Sequence, residues 1–330
     1  MKNNTAKASR FQVVNIMRSD LPNKIKAELI WRRSKGGFTN LPIYFLLIAM
    51  SFVFLLPFVY MILRSMMMFE DIQNVTMVKW LPRSLYFENY TSAVQALDYG
   101  AKLWKSVWTT GLAVIGQLMT CTFVAYGIAR LKFKGRGLIF GLVIFTLIVP
   151  PQVTIAPTYI MLSPNSPFNI ALGTDFFNWQ DTFLPMIVPC FFAMGLSGGL
   201  FIFIYRQYFR GMPEELENAA LIDGCGIFGT YFRIILPNAK SPMLVALILS
   251  LVWQWNNFFE PSIFIRDIVG SGNLPMQLQA MGENLGPMGG NLNPAVTMAA
   301  TFLVILPVIL VFFLLQNQFM KGIERVGLAN

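Results

Sequence analysis

The chain has 330 residues, 55% of them hydrophobic and only 12% charged, and its mean hydropathy is +0.56. That balance excludes an ordinary soluble domain and indicates an integral membrane protein. With no histidine in the sequence, a histidine-ligated metal, a Ser-His-Asp triad and a histidine proton relay are excluded.

In chain order, residues 1–40 form a basic tail with Lys2, Lys7, Arg10, Arg18, Lys24, Lys26, Arg32, Arg33 and Lys35 against Asp20 and Glu28. Within it, residues 21–36 place Ile25, Leu29, Ile30 and Trp31 among Lys and Arg at helical spacing. This fits a helix lying on the membrane surface, and a solvated basic tail equally well.

Six apolar runs follow, at 41–64, 104–128, 138–161, 182–204, 241–259 and 295–315, each near the ~20 residues that span the hydrocarbon core. They are continuous rather than alternating, so they predict six transmembrane helices and not a barrel. The first run starts too late and is too long for a cleavable signal peptide.

Lys and Arg in short loops mark the cytoplasmic side. The turn after the second run carries Arg130, Lys132, Lys134 and Arg136 with no acid, whereas the 162–181 loop carries Asp175 and Asp181 with no base. The 206–240 loop adds Arg206, Arg210, Arg233 and Lys240, and the 262–294 loop only Arg266. Both termini and the 206–240 loop are therefore expected in the cytoplasm. The net charge of +9 is explained by this topology, and no nucleic-acid partner is expected.

Pro150, Pro151 and Pro157 in the third run, and Pro185 and Pro189 in the fourth, predict kinks. Cys121, Cys190 and Cys225 offer neither a disulfide framework nor a metal site. The 266–294 segment, with Gly270, Gly272, Gly282, Gly286, Gly289 and Gly290, lacks apolar periodicity and is expected to be an irregular external loop.

The polar stretch from Pro213 to Pro237 stands between two apolar spans. Proline suits the first turn of a helix, and Glu214, Glu215 and Glu217 favour the positive end of its dipole, so a helix is expected to begin at about Pro213. Leu216, Ala219 and Ala220 fall on one face, where two alanines permit close approach of another surface. Gly224 suits a left-handed C-terminal cap, and Pro237 should stop or kink the apolar pattern of 227–235. Periodicity alone would also fit a plain helical hairpin joining two spans.

The spacing Ala219-Ala220, Gly224, Ile234, Leu236-Pro237 resembles the EAA-x3-G-x9-I-x-LP signature of ATP-binding-cassette importer permeases. The flanks Pro213, Glu215-Leu216-Glu217 and Ile222-Asp223-Gly224 are similar to the carbohydrate branch of that family. So are LLPFVYMILRSM in the first run, LYFENY at 85–90 and WQWNNF from Trp253. One departure is Asn218, where the family usually has an acid.

The resemblance implies an all-α polytopic protein with six helices of the type I, MetI-like permease fold. Its parts would be a tail at 1–40, a permease domain at 41–320 with the coupling loop at 206–240, and a C-terminal tail at 321–330. It further implies that Glu215, Glu217, Asn218, Ala219, Ala220, Asp223 and Gly224 seat on a cytosolic ATPase. The implied partners are a second permease, two copies of that ATPase, an extracytoplasmic solute-binding protein, a sugar and the lipid of the inner membrane. ATP and Mg would bind to the ATPase and no cofactor to this chain.

No GxxxxGK[ST] motif occurs, so the chain has no phosphate-cradling loop of its own. Arg64 and Glu260 lie near predicted helix ends, which disfavours an ion-coupled secondary transporter. Trp253, Trp255, Asn256 and Asn257 combine aromatic faces with amides that can meet sugar rings and hydroxyls, and equally fit an interfacial belt with amides bonding neighbouring helices. No catalytic residue is expected. The alternatives are an importer of another solute, such as a peptide or phosphonate, and, from a different class, a multi-span membrane enzyme or a channel.

Overall fold

The computed structural model describes residues 41–73, 81–283 and 293–327; the tail at 1–40, its expected surface helix, and Gly286, Gly289 and Gly290 lie outside them. Among the described residues the regular structure is helical, with no strand. The chain divides into two units, residues 1–61 and 62–330. Most of helix α1 (Leu41–Ser65), apolar along its length with Pro57 inside it, belongs to the first.

In the second unit, α2 (Glu88–Leu97) precedes α3 (Tyr99–Arg130), the central helix of 32 residues. Its buried stripe runs through Ala113, Gln117, Cys121, Ala125, Ile128 and Ala129, a three- and four-residue spacing that turns one face inward. Small residues dominate the stripe because apolar helices in lipid gain little from burial as such and associate by close van der Waals contact. Against it pack Phe201, Ile202, Tyr205 and Phe209 of α6 (Gly198–Gly211), together with Tyr231, Ile235 and Ala246.

A second cluster joins Ala93 and Leu97 of α2 to Trp255 of α8 (Lys240–Asn256), Leu274 and Met281 of α9 (Leu274–Glu283), and Ala299, Ala300 and Val304 of α10 (Pro294–Gly327).

The six expected spans are realised unevenly. Among the described residues, four helical stretches are long and apolar enough to cross a membrane: 42–65, 99–130, 240–264 and 294–318. The third expected span is two helices, α4 (Arg136–Ile148) and α5 (Pro151–Met161), bent by 100°. Pro150 and Pro151 lack the N–H groups that would continue the ladder.

The fourth, at 182–204, is not a continuous helix. A short turn at Leu184–Ile187 passes into a 3-10 segment at Val188–Phe192, and Ala193 and Ser197 take left-handed conformations before α6 begins. Pro185 and Pro189 interrupt the ladder. The chain then folds so tightly that a Cβ on Gly195 would lie 2.4 Å from Cys190 Sγ.

Two further expectations change. The 266–294 segment is not irregular throughout, because it contains α9, with Leu274, Met276, Gln277, Ala280 and Met281 buried. The glycines flanking this apolar run hide its periodicity. Residues 321–327 continue α10 rather than forming a separate tail.

Candidate functional site

The 206–240 loop contains one well-formed helix, α7 (Glu215–Ile222). It starts two residues later than Pro213, after Glu214, whose carbonyl accepts from Glu217 N at 3.1 Å and Asn218 N at 3.0 Å. At its other end Cys225 N donates to Ala220 O at 2.9 Å and Gly224 N to Leu221 O at 3.1 Å, with Gly224 at φ +80°. These crossed bonds form a Schellman cap, which needs a residue in the left-handed region at this point.

The two alanines of the motif point differently. Ala220 is buried, 2% exposed, where α7 meets the turns at Ile227–Thr230 and Tyr231–Ile235. Ala219, Glu215, Asn218, Asp223 and Gly224 are exposed. The expectation that both alanines form one docking knob is therefore changed: Ala220 is spent on seating α7 on its own chain, and only Ala219 is left on the outer surface. Beside those polar residues the outward surface carries large apolar side chains, with Leu216, Leu221, Ile222, Ile227 and Phe228 exposed and Ile222 at 86%.

Glu217 also faces the chain. Its Oε1 lies 3.2 Å from Arg130 Nε, their side chains being 19% and 6% exposed, while Glu214 Oε1 lies 4.0 Å from Arg130 Nη1. Arg130 Nη2 donates to the Met212 carbonyl. The Nε to Oε1 contact lacks hydrogen-bond alignment, so it acts as an ion pair. Burial pushes the Glu217 carboxyl above the usual carboxylate range, outweighing the downward pull of Arg130, and Glu214 adds to the rise.

Beyond α7, Tyr231–Ile235 is a π-helical turn in which Leu236 N donates to Tyr231 O. It directly precedes Pro237, which cannot donate to the ladder. The Tyr231 hydroxyl lies 2.9 Å from Thr122 Oγ1 of α3.

Of the residues expected along a substrate path, the two indoles lie within the fold. Trp255 is 5% exposed and donates Nε1–H to the Val304 carbonyl at 3.0 Å. Trp253 packs on Phe201, with ring centroids 5.7 Å apart. Asn256 is exposed and bonds back to Val252 O at 2.8 Å, whereas Asn257 bonds Glu260 Oε2 at 2.8 Å. Asn257 also borders a cavity of about 20 Å³ with Thr109, Thr110, Gln254 and Asn273, which is room for a water rather than a sugar ring.

Sequence reasoning passes over several polar residues that fix the bundle. Gln117 donates to Leu196 O and accepts from Ser250 Oγ at 2.8 Å and Gln254 Nε2 at 3.4 Å, tying the broken 188–197 segment to α3 and α8. Lys102 donates to Val269 O and Gly270 O, and Lys105 to Ser271 O at 2.8 Å. Asn89 of the LYFENY element donates to Ser65 O and Met67 O, both at 2.9 Å. The signal in each case is an amide or ammonium inside or beside an apolar run, where an unpaired polar group is costly. Arg266 bonds Gln180 Oε1 at 2.8 Å, and its backbone N–H bonds Asp181 Oδ1 at 2.8 Å, joining two of the expected outer loops.

Residues 117–325 match the family of binding-protein-dependent transport system inner membrane components. The chain belongs to this family. A probable ABC transporter permease protein of Bacillus subtilis, YurM, is 30% identical over 82% of this chain and 84% of its own. The arabinooligosaccharides transport system permease protein AraQ of the same organism is 28% identical over 87% of this chain and 94% of its own.

Among solved structures, a chain of a bacterial ABC transporter involved in the import of the acidic polysaccharide alginate aligns with a TM-score of 0.66 at 18% identity. The alignment covers 86% of this chain and 98% of that one. The fold is thus the MetI-like permease fold, and this family member is a multi-pass membrane component of an ABC transporter.

Proposed function

We propose that the chain is the permease subunit of an ATP-driven carbohydrate importer, with an oligosaccharide as its substrate. It would form half of the translocation path, with a second permease as the other half. Two copies of a cytosolic ATPase would supply the energy, with ATP and Mg bound there, and an extracytoplasmic solute-binding protein would deliver the sugar. Both termini and the 206–240 loop would face the cytoplasm, in keeping with the Lys and Arg distribution.

The observation that carries this reading is α7. It is a short helix stopped by a Schellman cap, seated on its own chain through Ala220 and presenting Leu216, Leu221 and Ile222 outward. A rigid helix with an exposed apolar face, beside exposed Glu215 and Asp223, is suited to a cleft in an ATPase that moves when ATP binds. The carbohydrate assignment is supported by the relative named for arabinooligosaccharides. The permease itself carries out no chemistry in this mechanism: closure of the ATPases moves α7, the path opens outward to accept sugar, and hydrolysis resets it.

The test is purification of the assembled complex in detergent and measurement of its ATPase activity with a sugar-loaded binding protein. Stimulation by an oligosaccharide-loaded binding protein is expected. Stimulation only by a peptide- or phosphonate-loaded one would replace the substrate class, and a lone polypeptide with lipid-modifying activity would overturn the transport reading.

A further inference from the structure

We infer that Arg130 is a positioning residue that makes the coupling helix α7 and the central helix α3 move as one body; this rests on the transport reading above. Arg130 is the last residue of α3 and its side chain is almost entirely enclosed. From there it reaches two separate points of the loop. Its Nη2 holds the Met212 carbonyl, where the chain leaves α6 and turns toward α7, and its Nε faces Glu217 on the inner side of α7. A planar guanidinium can serve both points at once, because its donors diverge in a fixed fork.

The energetics of the pair favour positioning over stability. Burial raises the Glu217 carboxyl despite the adjacent guanidinium, and enclosed ion pairs commonly add little net stability because desolvation offsets their attraction. A pair that adds little net stability still fixes orientation, because any rotation of α7 would leave two enclosed charges apart. Thr122 and Tyr231 make a second tie between α3 and the same loop, two turns further along α3. Two ties on one helix resist rotation where one would act as a pivot. Along α3 the connection continues through Gln117 to the broken segment at 188–197 and to α8, so displacement of α7 is delivered to the bundle through α3.

Glu217 thereby has a different task from the exposed Glu215 and Asp223: its partner lies in its own chain.

The experiment uses the full complex reconstituted in liposomes, with Arg130→Gln, Arg130→Lys or Glu217→Gln in this chain, and measures sugar molecules taken up per ATP hydrolysed. A purely structural defect lowers the amount of complex and leaves that ratio unchanged. We expect the ratio to fall about tenfold in Arg130→Gln, the scale of a typical coupling free energy between sites. Arg130→Lys should restore it in part, since one ammonium cannot hold both points.

Should Arg130→Gln fail to assemble, Glu217→Gln decides, because it removes the charge from α7 while leaving Arg130 on Met212; a lowered ratio supports the inference. A wild-type ratio in Glu217→Gln, or in an assembled Arg130→Gln, overturns it. A wild-type complex that takes up no sugar would instead overturn the transport reading before the variants are compared.

Discussion

The two ends of α3 hold their neighbouring loops by different means. At the Lys102 end, two ammonium groups donate to the backbone carbonyls of Val269, Gly270 and Ser271, and the α9 helix that follows is buried. At the Arg130 end, one guanidinium and one buried alanine seat α7, whose outer surface exposes Leu216, Leu221 and Ile222 beside Glu215 and Asn218. The first arrangement satisfies the chain internally and leaves little for a partner. The second leaves apolar surface open, which the proposed docking of an ATPase would cover. Under the proposed function, burial more than charge separates a loop that serves the fold from one that serves coupling.

That contrast can be broken in steps. The largest effect is expected for Ala220→Arg, which forces an unpaired cation into an enclosed site at about 3–5 kcal/mol. It should unseat α7 and abolish sugar-stimulated ATPase activity, and normal uptake in this variant would contradict the inward placement of Ala220.

Lys102→Met comes next. Loss of charged donors to the Val269 and Gly270 carbonyls should destabilise the protein by about 2 kcal/mol, seen as a lower thermal midpoint, with no change in ATPase co-purification. Gly224→Ala is smaller: a Cβ there would meet no atom within 4 Å, so only the left-handed backbone penalises it, by about 1 kcal/mol. Gly224→Asn should lose less in the same thermal assay.

Ile222→Asp should leave stability within about 0.5 kcal/mol, as for an exposed substitution, yet reduce the amount of ATPase that co-purifies. An unchanged yield of ATPase would move the docking surface away from α7.

Much of this was legible in the sequence. The apolar runs at 41–64, 104–128, 241–259 and 295–315 anticipate the helical stretches at 42–65, 99–130, 240–264 and 294–318, because spanning length leaves little latitude. The motif spacing anticipates the Gly224 cap, because few residues other than glycine take a left-handed cap readily.

The run at 182–204 was misleading, since its hydropathy counts side chains and ignores the missing N–H groups of Pro185 and Pro189. The inward turn of Ala220 against the outward Ala219 was not legible either. Both are small and adjacent, and only the seating of α7 on the chain chooses between them. Trp253 and Trp255 stayed open between a sugar path and an interfacial belt, because an indole suits both; in the structure Trp255 is buried and bonds Val304 O, and Trp253 packs on Phe201.

The most direct measurement is a photocrosslinking amino acid placed in turn at Ile222 and at Val269, which is also exposed but lies at the other end of α3, in the complex within its native membrane. Position 222 is expected to capture the ATPase and position 269 is not. Capture of the ATPase at 269, or its absence at 222, would contradict α7 as the coupling helix.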